Sequence, residues 1–213
     1  LYVLDDLADS LAQIVRHSII ETPYVKTALV TMDEPSFLFS PPPLNLEDEE
    51  MRDAIIKSLD KVARVAIQRG VLTAIHIHSS PDIIWDVESL KIIEAHTDAH
   101  IDRRMLEHYD KFVKAPIART DIDNLLLEKL GDRERVAEMW AKAQKGVVDV
   151  NVWCESVDIM KKRLEDYLQR YGVERVPFAG PECGLRAYPP IAAFELLRRV
   201  AKAVTEIKDS FIA

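Results

Sequence analysis

Five short stretches of this chain place metal-binding or proton-moving side chains where an apolar, β-prone run is ending or under way. They are Asp33-Glu34, His76-Ile77-His78-Ser79-Ser80, Glu94-Ala95-His96, Asp149 with Asn151, and Glu182-Cys183. Residues i and i+2 of a strand share a face, so His76 and His78 point the same way. Glu94 and His96 do likewise if their strand continues. Imidazole, carboxylate and thiolate together are what Zn²⁺ accepts. Each stretch alone has a plainer reading. His-x-His is most often a pair of satisfied polar side chains, a lone Cys at a turn is usually inert, Glu94 can be half of a salt bridge, and Asp33-Glu34-Pro35 can be a strand stop. Recurrence at separate strand ends is what favours a site.

Such side chains need a scaffold that lines up strand ends. Leu4, Leu7, Leu11, Ile14 and Val15 recur at helical spacing. The run 27–32 (TALVTM) predicts a buried strand ending at Asp33-Glu34-Pro35. A long helix follows over 47–69, with Gly70 as its C-cap. Further strands are predicted over 71–78, 89–94, 112–118, 146–152 (GVVDVNV) and 175–179. Helices are predicted over 98–111, 121–130, 132–144, 156–171 with Ser156 as N-cap, and 189–208 opened by Pro189-Pro190. Strands alternating with helices imply parallel β and right-handed crossovers. The two choices are an open doubly wound sheet and a (β/α)8 barrel, and in both the loops at the carboxyl ends of the strands carry the chemistry. No Gly-rich phosphate turn follows a strand, which weakens the nucleotide-binding version.

The composition narrows the class. The chain has 213 residues, with 28 Lys plus Arg against 36 Asp plus Glu, for a net charge of −8. That balance argues against a nucleic-acid partner, which calls for a basic face. Six glycines argue against an all-β chain of tight hairpins. Two cysteines, Cys154 and Cys183, cannot build a disulfide framework, so a reducing, cytoplasmic setting is expected. No apolar run approaches the ~20 residues that span a bilayer, so no membrane partner is expected. The first residue is Leu1 rather than Met, and the start is acidic where a signal peptide would be basic. Residues are therefore expected to precede Leu1.

Several segments resemble the catalytic domain of cobalamin-independent methionine synthase. Thr31-Met32-Asp33-Glu34-Pro35-Ser36-Phe37 resembles that family's "IDEPAL" strand end. His76-Ile77-His78-Ser79-Ser80 is similar to its "HTHMC" segment, and Ile92-Ile93-Glu94 to its "ISIE" strand. Gly146-Val147-Val148-Asp149-Val150 followed by Glu155-Ser156 is similar to "GVxD…ES". Gly180-Pro181-Glu182-Cys183-Gly184-Leu185 resembles "NPDCGL". The segments fall in the family's order and cover nearly the whole chain. The resemblance implies one catalytic domain over 1–213, the later part of a (β/α)8 TIM-type barrel whose first strands lie before Leu1. A barrel short of strands would expose edges and apolar surface that need cover, which admits an oligomer.

The resemblance also implies a reaction. A zinc ion holds a small thiol such as homocysteine, and the thiol takes a methyl group from a methyl-pterin or folate, or from a methyl-corrinoid. His78, Glu94 and Cys183 fall on zinc ligands, with His96, His76 or Ser80 as the fourth. The family has Cys where this chain has Ser80. Asp33, with Glu34 beside it, falls on the aspartate that holds the substrate ammonium. Asp149 and Asn151 fall in the catalytic stretch, Asn151 near the family's catalytic histidine. The alternative is a noncatalytic relative that binds an amino acid or a corrinoid partner without methyl transfer. A decarboxylase of the related uroporphyrinogen superfamily would need cations over substrate carboxylates, for which Arg119 is thin support.

Overall fold

The structure is a computed structural model describing residues 2–34, 46–78, 82–97 and 101–212. The chain divides into two compact units, one over Leu1–Ala95 and Ala99–Val113, the other over His96–Asp98 and Lys114–Ala213.

The first unit begins with α1 (Tyr2–Ser18), β1 (Leu29–Glu34), α2 (Glu49–Ile67) and β2 (Leu72–Ile77). A 3₁₀ turn over Asp82–Asp86, β3 (Ile92–Glu94) and α3 (Arg103–His108) follow. β1 and β2 run parallel, as do β2 and β3. Ala8, Ala12 and Val15 of α1 pack on Val62, Val65 and Ala66 of α2, and the alanines let the two helices approach closely. Asp48 caps α2, its carboxylate accepting from the Met51 N–H. At the other end the Gly70 N–H donates to Ile67 O and the Val71 N–H to Ala66 O, a Schellman closure with Gly70 at φ 70°. A Cβ on Gly70 would meet nothing within 4 Å, so the backbone alone resists substitution. Gly70→Ala is expected to lower unfolding stability by about 1–2 kcal/mol, read by urea denaturation. Unchanged stability would contradict this account of the turn.

The second unit contains the end of β4 (Phe112–Ala118), then α4 (Ile122–Leu130), α5 (Arg133–Gln144) and the four-residue α6 (Val150–Trp153). α7 (Val157–Tyr171), β5 (Phe178–Pro181) and α8 (Pro190–Ile212) complete it. β4 and β5 are parallel, with a register shift after Pro116, which has no N–H to give the ladder. Trp153, Met160, Tyr171, Ala192 and Leu196 are buried in its core. Ser156 caps α7 as predicted, accepting from the Ile159 N–H.

The mixed, parallel α/β class is as expected, and several boundaries move. β1 starts at Leu29, two residues later than predicted, and runs through Asp33 and Glu34. β3 is shorter than predicted, with a Leu90 N–H to Val87 O turn occupying its expected start. α3 starts only at Arg103, where Asp102 caps it. The predicted strand over 146–152 is wrong. Gly146 takes φ 79°, and Asp149 turns the chain into α6 by accepting from the Asn151 N–H. A carboxylate two residues from an open N–H can cap locally, and that outweighs the β preference of the surrounding valines. Among the described residues, no helix is long and apolar enough to cross a membrane.

Candidate metal centre

In the first unit the register puts Asp33, His76 and Glu94 in one row across three parallel strands, with Thr31, Ala74 and Ile92 in the row before. Side chains of one such row share a face. His76 is buried, and His78 lies just past the end of β2. Their Nε2 atoms are 3.2 Å apart and their rings meet edge to face at 80°. Two protonated nitrogens would repel at that distance, so at least one Nε2 presents a lone pair. Two imidazoles on a tetrahedral zinc, at Zn–N ~2.0–2.1 Å, hold their nitrogens about 3.3 Å apart. The observed spacing matches that edge.

Glu94 is buried and accepts from Thr31 Oγ1 at 3.0 Å. The bond crosses over β2, where the residue paired with Thr31 is Ala74. Asp33 and Glu34 line a cavity of about 330 Å³ together with Leu7, Leu11, Val30 and Met32. Ser80 lies outside the described residues.

In the second unit His96 and Cys183 bring their donor atoms within 4.8 Å. β5 delivers Cys183, and the Glu182 N–H extends the strand contact by donating to Ala118 O at 2.9 Å. The Glu182 side chain is buried. Its Oε2 accepts from the Thr97 N–H at 3.0 Å and the Thr97 hydroxyl at 2.7 Å, and its Oε1 from the Thr120 N–H at 2.7 Å. Burial by itself would raise this carboxyl. The Thr120 and Thr97 N–H groups, the Thr97 hydroxyl and His96 nonetheless hold it below the usual carboxylate range. Cys183 is half-buried, whereas Cys154 is fully buried, donates to Ala192 O, and is pushed by burial up to about 11. Cys154 is thus a packed thiol and an unsuitable nucleophile.

His76, His78, His96 and Cys183 make up a donor set that could hold a metal ion. Glu94 is not one of these four, and β3 ends at Glu94, so Glu94 and His96 do not share a strand face. Asp149 and Asn151 serve local structure: Asp149 caps α6, and Asn151 Oδ1 accepts from Arg199 Nη2 at 2.7 Å. Thr97 and Thr120, which fix Glu182, escaped the sequence reading. Their only signal is a hydroxyl residue directly after or near a strand end.

Comparison with protein-family models gives no match, and comparison with the curated proteins gives none.

Proposed function

We propose that this chain is a zinc-dependent methyltransferase whose ion takes three of its ligands from His76, His78, His96 and Cys183 and leaves the fourth position to the substrate thiol. In this reading the acceptor is a small thiol such as homocysteine, and the donor is a methyl-pterin, a methyl-folate or a methyl-corrinoid. The scaffold is read as part of a (β/α)8 barrel. The observation that carries the proposal is the 3.2 Å approach of the His76 and His78 nitrogens, the spacing that co-ligands of a tetrahedral ion adopt. The donor chemistry agrees, since imidazole suits zinc and a thiolate adds softness. When bound, zinc would lower the pKa of the substrate thiol and so supply the nucleophile. The chain's own residues would then do the rest. The imidazoles fix the ion, Asp33 offers a carboxylate to the substrate ammonium, and the buried Glu94, in the same sheet row as His76, is held in place by the Thr31 hydroxyl.

A second reading is a noncatalytic relative that binds an amino acid or corrinoid partner without methyl transfer. The donor count favours it, because four protein ligands fill a tetrahedral ion as structural sites do.

The two separate by experiment. The purified chain is expected to retain about one zinc by elemental mass spectrometry, and His76→Ala or Cys183→Ala is expected to bring retention to background. Adding homocysteine to the cobalt-substituted protein is expected to change the visible spectrum, with methionine formed when a methyl-corrinoid or methyl-pterin is supplied. A metal-free wild type sinks both metal readings. A metal-loaded wild type whose spectrum ignores the thiol leaves the noncatalytic one.

A further inference from the structure

We propose that Glu182 is a positioning residue that sets the spacing of His96 and Cys183. The inference rests on the metal reading above and adds how one half of that donor set is built. Cys183 follows Glu182 in sequence, and Thr97 follows His96. The Glu182 carboxylate takes both the N–H and the hydroxyl of Thr97, so one side chain ties the segment carrying the imidazole to the segment carrying the thiol. The Thr120 N–H on its other oxygen fixes the carboxylate against the end of β4, where the Glu182 N–H is also held by Ala118 O. The carboxylate therefore has three donors on two segments, and its backbone is pinned to the strand that supports one of them.

A carboxylate this buried, adjacent in sequence to one donor and hydrogen-bonded to the residue after another, has the features of an outer partner that orients ligands. Each anchor is the sequence neighbour of a ligand of the set, Glu182 just before Cys183 and Thr97 just after His96, so a rotation at Thr97 or Glu182 moves a donor atom directly. The short sequence distance gives the tie its leverage: there is one peptide on each side over which error can be absorbed.

The test compares wild type with Glu182→Gln, Thr97→Val and Thr97→Ser. Gln keeps the size of the side chain, but turns one acceptor into a donor facing N–H groups. Val removes one hydroxyl bond, and Ser restores it. Cobalt(II) titration is expected to show a 10–100-fold loss of affinity in Glu182→Gln, a smaller loss in Thr97→Val and recovery in Thr97→Ser. The thiolate-to-cobalt absorption is expected to weaken in the same order, a signature that a merely structural role would leave alone. Hydrogen exchange at the Thr97 and Thr120 amides supplies a metal-free readout, and both are expected to exchange faster in Glu182→Gln. Equal cobalt affinity and spectrum across the series would overturn the proposal. If wild type binds no metal, the metal reading fails on its own. The tie between the two segments then stands on accelerated exchange at both amides, and unchanged exchange overturns it.

Discussion

Replacing Glu155 with alanine is expected to cost about 3–5 kcal/mol of unfolding stability, the largest single-residue effect anticipated for this chain. Glu155 is buried, at 4% exposure, and both its oxygens accept from the Arg163 guanidinium at 2.6 Å. The Arg119 N–H adds a third bond at 2.9 Å, and Arg163 also donates to Ile117 O. The two partners are thus joined in a fork and tied to the end of β4. Such a pair adds little over well-packed apolar residues, because desolvating two charges offsets their attraction. Breaking it from one side is another matter: without Arg163 the buried Glu155 side chain loses its partner, and without Glu155 the half-buried guanidinium and the Arg119 N–H both lose their carboxylate acceptor. Glu155→Ala and Arg163→Ala are therefore expected to be strongly non-additive, the double variant losing much less than the sum of the two. Denaturant melts of all four proteins measure this. Simple additivity would mean that the pair is more open to water than its burial implies.

The second large effect concerns Lys111 and pH. Its side chain is only 2% exposed, and Nζ donates to Val87 O and Leu90 O, each at 2.7 Å. Burial pushes the ammonium from 10.5 down to about 8, helped by Lys91 and opposed by Asp60, Asp86 and Glu88. Below about pH 8 both folded and unfolded chains hold the proton, and the folded chain carries the cost of a buried charge. Between about 8 and 10.5 the folded chain has released the proton while the unfolded chain still binds it, so this group's contribution to stability rises with pH. At ~1.4 kcal/mol per tenfold change in proton affinity, the rise amounts to about 2–3 kcal/mol between pH 7 and pH 10. Lys111→Met removes the titration. The stability of wild type relative to Lys111→Met is therefore expected to climb by that amount over the interval, whatever other groups do. Parallel pH profiles for the two proteins would refute the assignment.

The pattern of apolar residues made much of the scaffold legible. Helix α1, β4 and the Ser156-capped α7 all lie close to where periodicity and capping chemistry put them, although α1 buries Ala8, Ala12 and Val15 and leaves Leu7, Leu11 and Ile14 of the expected stripe exposed. The failure at 146–152 has a local cause: valines signal extended chain only when no neighbouring side chain offers the backbone another partner, and Asp149 does. The i, i+2 rule gave the His76–His78 pair, because His78 sits only one residue past the end of the strand that carries His76. Lys111 and the Thr97–Glu182 contact were not legible. A lysine that ends up beneath backbone carbonyls looks, in sequence, like any lysine after a turn, here one with Asp110 at φ 47° and the Lys111 N–H donating to Leu106 O. A hydrogen bond between residues 85 positions apart leaves no mark on either neighbourhood.

Ala74 carries a consequence of its own. Its strand is made of the bulky β-formers that usually invite exchange among Val, Ile and Leu, yet this position holds the smallest side chain of the run. The methyl group leaves the headroom through which a hydroxyl on one side of the strand reaches an acid on the other. A valine there would be unremarkable by hydrophobicity and secondary-structure preference, but it would act as a chock in that passage. Drift toward larger residues is therefore closed at position 74 for a reason that belongs to its two neighbours.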